Sequence, residues 1–443
     1  MAYRCDMHEP HPARLVVEDD YYRNRLTVFF RLLLAIPHFI WFFLWSIAAT
    51  IVSILNWFAT LAMGRPPRAF HRFLCAYVRY TVHLGGYFTL VANPYPGFLG
   101  EAGTYPVDIA LPDDPQTQSR WKTLLRLILA IPALIIGSAL GGGFGIPAGF
   151  YANRGGSGSS NSYSGGGGFW GGGFLLTICA FLGWFAALVT GRMPSGLRDA
   201  GAYGLGYGGQ VRAYTLLITD RYPNSDPTAM LESVPRPTVH PVRLVGEAHD
   251  LRRSRLTVFF RLPLFIPHYV WFYLWSIAAT IVWIINWFAT LIMGRPPRPF
   301  QRFLGAFVRY QFHIFAFLTL AANPFPGFTG APGTYPLDLA LPAEPQRQNR
   351  WKTFFRAILV IPAWFVSIGL VFALYLASIF TWFVALVRGS APWGLRNLMA
   401  YALRYFAQTN AYLYLLTDAY PHASPLEGEE LPQQQELEYP PAA

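Results

Sequence analysis

Arg79 and His83 lie four residues apart, with Arg72 seven before Arg79, in a stretch (70–92) that is otherwise apolar and aromatic. That spacing puts all three on one face of a helix. The position recurs. Arg309 and His313 repeat the pair, and Gln210 and Gln408 stand in the histidine's place, the second behind Arg404. Each has a tyrosine three residues earlier: Tyr80, Tyr207, Tyr310 and Tyr405. Two chemistries fit. In the favoured one the helix is amphipathic and interfacial, with arginines among anionic lipid head groups and tyrosines at the boundary. In the other it is a further spanning helix, and Arg79, His83, Gln210, Arg309, His313, Arg404 and Gln408 line a polar path. The second has a topological cost: an odd number of crossings per repeat would invert alternate repeats and carry their arginines outside.

Reaction chemistry does not emerge. The sequence has no Walker A pattern, no H-E-x-x-H and no nucleophile-elbow serine. Asp and Glu are absent from the long apolar runs, which weighs against a carboxylate relay inside them. Cys5, Cys75 and Cys179 have no paired spacing, so neither a disulfide framework nor a zinc site is expected. His38 and His268 follow prolines, and helix packing is the preferred role over a functional pair. Asn56 and Asn286 read as interhelical hydrogen-bonding groups. The expectation is a non-enzyme with no cofactor or metal.

The elements that position these residues repeat. Residues 25–111 recur at 255–341, an offset of 230. A weaker second level divides the chain into four units. Each opens on Arg-x-x-Leu-x-Ile-Pro, at Arg31, Arg126, Arg261 and Arg356, with the prolines Pro37, Pro132, Pro267 and Pro362. Each continues through a Trp-Phe pair to Gly64, Gly191, Gly294 or Gly389 and closes on a polar turn before proline. Gly ends a helix and the proline after it starts the next. The four opening prolines predict equivalent kinks. Unit two alone carries a glycine-rich insertion, 140–173.

Hydrophobic residues make up 53% of the chain and charged residues 13%, against roughly 25% charged in soluble domains. Residues 32–64, 262–294 and 357–387 contain no charge. One helix of that length would measure about 50 Å, against a hydrocarbon core of roughly 30 Å. The preferred reading is two helices folded back on each other, with a non-crossing re-entrant hairpin or a single long helix as alternatives. The expected fold is an all-α integral membrane protein. It has four repeated kinked transmembrane hairpins (about eight transmembrane helices), each followed by an amphipathic helix.

Arginines bracket the runs: Arg23, Arg25 and Arg31 before the first, Arg65, Arg68 and Arg72 after it, and their counterparts in unit three. The positive-inside pattern puts these flanks and both termini in the cytoplasm. The net charge of +11 suits anionic lipid head groups as partners. Nucleic acid is discounted, because the arginines flank apolar runs and form no hydrophilic face. Membrane-protein partners or a homo-oligomer fit equally. No cleavable leader is expected before Leu26.

Short alternating segments, 14–17, 107–111, 242–245 and 337–341, predict strands ahead of the hairpins, paired into a small cytoplasmic sheet. The organisation is then an N-terminal segment (1–19), a first copy (20–224) with its glycine-rich tip loop, a proline-rich linker (225–247), a second copy (248–421), and a disordered acidic Pro/Gln tail (422–443).

Together, Arg-x-x-Leu-x-Ile-Pro-His, Asn-Trp-Phe-Ala-x-Leu-x-x-Gly-Arg-x-Pro and the closing Asn-x-Tyr-Pro resemble the DUF4389 family of uncharacterised bacterial membrane proteins, in two tandem copies. The resemblance implies location in a bacterial membrane, the inner membrane being expected, and offers no catalytic residue to carry over. The insertion at 140–173 departs from the pattern.

Overall fold

A computed structural model describes residues 11–141, 173–232, 239–246 and 251–426. Most of the glycine-rich insertion and most of the tail lie outside the described residues.

Unit one runs β1 (Arg14–Val17), α1 (Arg25–Phe29), α2 (Arg31–Leu34), α3 (Ile36–Met63) and α4 (Arg68–Phe88). Unit two follows as β2 (Val107–Ala110), α5 (Arg120–Leu124), α6 (Arg126–Leu140), α7 (Phe174–Thr190) and α8 (Ser195–Thr215). Unit three has β3 (Leu231–Glu232), β4 (Arg243–Val245), α9 (Arg255–Phe259), α10 (Arg261–Met293) and α11 (Arg298–Leu318). Unit four has β5 (Asp338–Ala340), α12 (Arg350–Phe354), α13 (Arg356–Leu359), α14 (Ile361–Arg388) and α15 (Trp393–Leu413).

The long apolar runs are not hairpins. Arg31–Met63, Arg261–Met293 and Arg356–Arg388 are each a single helical rod of 33 residues, long and apolar enough to cross a membrane. Nothing in their middles turns the chain: Ile47-Ala48-Ala49-Thr50-Ile51 contains neither glycine nor proline. The bends fall at the openings. Every unit breaks first at Phe30, Leu125, Phe260 or Phe355, just before the opening arginine. Pro37 and Pro362 begin a new helix, whereas Pro132 and Pro267 sit inside a continuous one. The exits are as read. Gly64, Gly191, Gly294 and Gly389 all take left-handed φ values of 72–73° or 71°, a conformation open to glycine at little cost.

Adjacent rods run antiparallel. The start of unit one lies beside the end of unit two, where Arg25 donates to the Val189 carbonyl (2.9 Å). The end of unit one lies beside the start of unit two, where Arg120 donates to Ala62 (3.0 Å). Units three and four repeat both bonds, Arg255 to Val387 (2.8 Å) and Arg350 to Ile292 (3.0 Å). The halves meet through units two and four: Phe174 packs edge-on to Phe372, and Gly369 lies beside Leu175 and Ile178. The rods therefore form one layer in the order one, two, four, three.

The tyrosine-rich helices α4, α8, α15 and α11 form a second layer beneath it, joined at its centre by Tyr203 against Tyr401. Their expected interfacial position is corrected. Tyr80, Tyr207, Tyr310 and Tyr405 are all buried, and nearly the whole of α8 and α15 is interior. Glycines allow this: Gly204 of α8 lies against the Leu140 carbonyl so closely that a Cβ would approach to 2.6 Å.

Strands form the third layer. The four expected segments contain β1, β2, β4 and β5. They pair as two separate ladders rather than one sheet, β1 antiparallel to β2 and β4 to β5, with β3 added parallel to β1. The described part of the expected linker is built into the fold, since Ser225, Asp226 and Met230 are buried and β3 joins the sheet. The start of the expected tail is also packed, with Ala423 and Ser424 buried.

Each rod turns one face to its tyrosine-rich partner and the opposite face outward. On α3, His38, Ser46, Ala49, Asn56 and Thr60 are buried, while Ile40, Phe43, Ile47, Ile51, Ile54 and Phe58 are exposed. On α14, Phe365, Ile368, Phe372, Ile379 and Phe383 form the exposed stripe.

Candidate functional site

The chemistry repeated in every unit lies at the opening arginines. Arg31, Arg126, Arg261 and Arg356 are buried, although Arg31 and Arg261 read in the sequence as members of the charged cytoplasmic flanks. Each guanidinium stacks at 4.2–4.4 Å on a ring in the last turn of its own tyrosine-rich helix: Tyr87, Tyr214, Phe317 or Tyr412. Each also donates to carbonyls at or just beyond that helix end. Arg31 reaches Tyr87 (2.6 Å) and Ala92 (3.2 Å), and Arg356 reaches Tyr412 (2.7 Å) and Thr417 (2.8 Å). Arg261 takes Ala322 (3.0 Å) and Asn323 (3.2 Å). In the even units a carboxylate joins, Asp220 at 3.0 Å from Arg126 and Asp418 at 2.7 Å from Arg356. A cation at the negative end of a helix dipole, with its donors aimed at free carbonyls, is a C-terminal cap.

The chain turns away immediately after this cap through a non-glycine residue with positive φ: Leu90, Leu217, Leu320 or Leu415, at 63–67°. That conformation costs about 1–2 kcal/mol, and each leucine carbonyl is held by a buried donor. Arg23 and Arg253 hold Leu90 and Leu320, and Gln118 and Gln348 hold Leu217 and Leu415. The sequence marks Arg23 and Arg253 only as charges flanking the apolar runs and does not single out Gln118 and Gln348. The signal was present in the fixed recurrence of arginine opposite the closing Asn93, Asp220, Asn323 and Asp418.

Indole groups lock paired units together. Trp57 donates to Thr123 and Trp287 to Thr353 (both 2.9 Å), and Trp184 donates to Val28 and Trp382 to Val258 (both 3.1 Å). Asn56 and Asn286 reach the Leu216 and Tyr414 carbonyls, as their interhelical reading requires.

Six of the seven polar candidates make a hydrogen bond or ion pair within their own half. His83 bonds Asp108 on β2 (3.0 Å), and His313 bonds Asp338 on β5 (2.7 Å). Burial pushes both carboxyl pKa values up. The histidine bond and the Gly103, Gly333 and neighbouring amides outweigh it, so both end below the ordinary value. Arg309 joins Asp338 at 3.4 Å. Gln210 donates to Ala13 (2.7 Å) and accepts from the Asn224 amide, and Gln408 does the same with Val242 (2.9 Å) and His422. Arg404 donates to Ser424. Arg79 is half-buried, and its Nε has no hydrogen-bond partner among the described residues. His38 and His268 bond Tyr80 (3.0 Å) and Tyr310 (2.9 Å) and stack on Phe98 and Phe328.

A cleft of about 870 Å³ lies beside α11, lined by Arg302, Gly305, Arg309, Asp338 and Glu344 among others. Its charges are of both signs, and Arg309 faces Asp338. Among the described residues no group of three or more His, Cys, Asp or Glu side chains is placed to hold a metal.

No curated protein and no solved structure matches the chain. A family model described as a domain of unknown function matches four segments, 25–100, 169–225, 255–329 and 350–424, one in each unit rather than one in each half. Three of the four capping arginines (Arg31, Arg261 and Arg356), the four locking tryptophans and the four exit glycines fall within those segments, Arg126 lies ahead of the second, and the chain belongs to this family, DUF4389.

Proposed function

We propose that this chain is a non-enzymatic membrane protein of the bacterial inner membrane, a scaffold or partner subunit in envelope or lipid handling, with its charged flanks in the cytoplasm. The observation that carries the reading is how the repeated polar groups are used. The buried arginines cap helices of the same chain, and both histidines, both glutamines, Arg309 and Arg404 hold strands or closing segments of their own half. Groups committed in this way build a rigid body and leave little to line a path. The outward faces of the rods supply the apolar surface that a membrane protein needs.

The competing reading is a transporter, channel or scramblase. Purified protein in liposomes separates the two. The expected result is ion flux and labelled-lipid exchange no faster than in empty vesicles. Flux that rises with protein, and falls when His83 and His313 are replaced together by alanine, would overturn the proposal.

A further inference from the structure

The rods have the length and polarity of spanning helices, but four observations set them at odds with spanning. The first is length. Three of them hold 33 residues, about 50 Å, and fitting them to a core of roughly 30 Å needs a tilt of about 50°, outside the usual range of 0–40°.

The second is charge. Neighbouring rods are antiparallel, and arginines mark both ends: Arg25 beside the end of α7 near Arg192, and Arg120 beside the end of α3 near Arg65. If the rods spanned, matching positive clusters would sit on opposite sides of the bilayer, against the positive-inside pattern.

The third is the break in unit two. The chain leaves α6 at Gly141 and re-enters α7 at Gly173, and the two glycines are in contact at the middle of the rod. Gly141 lies against Gly204 of α8, on the covered side. A spanning rod would put this opening in the helix, which leads into a Gly- and Ser-rich sequence containing Arg154, at the bilayer centre. Non-helical backbone is tolerated at that depth only where protein encloses it.

The fourth is that the apolar surface is one-sided. The outward faces of the rods lie on one side of the layer, with the tyrosine-rich helices and the strands on the other. A spanning protein is instead girdled by an apolar belt.

We propose that the four long rods lie in the plane of one membrane leaflet, their outward faces buried among acyl chains and the arginines at their ends on the phosphates of anionic lipids. The inference rests on the membrane reading above and deepens it. In this setting every arginine cluster stays on one side, and the break at Gly141 and Gly173 no longer falls at a bilayer centre. The second and third layers stand in the cytoplasm. The partner is a phospholipid leaflet, recognised by a flat apolar raft with a cationic rim.

Single-cysteine labelling tests it in the full-length protein. Asp20 and Arg68 flank opposite ends of α3, and both side chains are exposed. In a background carrying Cys5→Ser, with Cys75 and Cys179 buried, D20C and R68C are treated with a membrane-impermeant maleimide in right-side-out and inside-out vesicles. D114C, at the same end as Arg68, serves as a second reporter. The expected result is that all three label only in inside-out vesicles. Labelling of D20C from one side and of R68C and D114C from the other would overturn the in-plane arrangement while leaving the membrane reading intact. Release of the protein by alkaline carbonate, with labelling independent of vesicle orientation, would overturn both.

Discussion

Units two and four share one design and differ most where the rod of unit two is interrupted. Each caps its tyrosine-rich helix with an arginine, a tyrosine ring and an aspartate, through Arg126, Tyr214 and Asp220 in one and Arg356, Tyr412 and Asp418 in the other. In unit four the rod continues through Leu370, Val371 and Phe372. In unit two it stops at Leu140 and resumes at Phe174. Opposite the break α8 has Gly204, where α15 has Ala402, and the glycine backbone lies on the Leu140 carbonyl. The comparison teaches that the ends of a unit are rigidly specified, whereas the middle of its rod tolerates an interruption once the facing helix gives up a side chain.

The largest effect expected from this division is at the ends. Arg126→Leu and Arg356→Leu each strip a buried cation from helix-end carbonyls and take from an aspartate its buried partner, leaving it only the exposed Lys122 or Lys352. A loss of about 3 kcal/mol is expected for each, at the lower part of the range for a broken buried pair, because Asp220 and Asp418 keep some contact with water. Denaturation in detergent should show both variants shifted alike. A much milder effect of Arg126→Leu would mean that the interruption loosens the whole of unit two, and the separation of ends from middle would fail. Lysine at either position should recover only part of the loss, since it carries the charge without the planar fork.

The middle comes next. Gly204→Ala places a methyl group 2.6 Å from the Leu140 carbonyl oxygen. The overpacking costs about 1–3 kcal/mol, partly offset by alanine's better helix propensity of about 1 kcal/mol. A net loss of about 1 kcal/mol is expected by thermal melting. At the matching position of unit four, Ala402→Gly should also destabilise by about 1 kcal/mol, because there the larger residue is the one that fits. Gain of stability from Gly204→Ala would show that the close approach of α6 to α8 is absent in solution.

The same division explains what the sequence disclosed. Ends carry local signals: Gly64 and its three counterparts stop helices because left-handed φ favours glycine, and the alternation of 14–17, 107–111, 242–245 and 337–341 marks real strands. Middles carry none. The uncharged run 32–64 has the length of two short spans and is too long to cross a bilayer upright, which by itself favours a hairpin. Read alone, nothing in it said that a neighbouring antiparallel rod and a buried partner helix would keep it straight. The burial of α8 and α15 was hidden for a related reason. Arg198, Arg404 and Gln408 look solvent-seeking until Asp199, Ser424 and Val242 are seen to receive their donors. Arg31 and its counterparts were seen to recur, but their role depends on carbonyls 56 or more residues away in sequence.

The smallest effect tests the interruption itself. Replacing 141–173 by a single valine gives unit two the local spacing that Leu370, Val371 and Phe372 have in unit four. Removing a loop of this size relieves a closure entropy of about 3 kcal/mol, an amount that grows only slowly with loop length. The rejoined rod, however, faces Gly204, which leaves a void where Ala402 fills unit four. The two terms oppose, and the expected change in melting stability is within about 1 kcal/mol. The informative measurement is the combination. In the rejoined chain Gly204→Ala should turn from destabilising to neutral or stabilising, a coupling between two sites in contact. An unchanged penalty in both backgrounds would place the tight approach in α8 itself and remove the link between the insertion and the glycine opposite it.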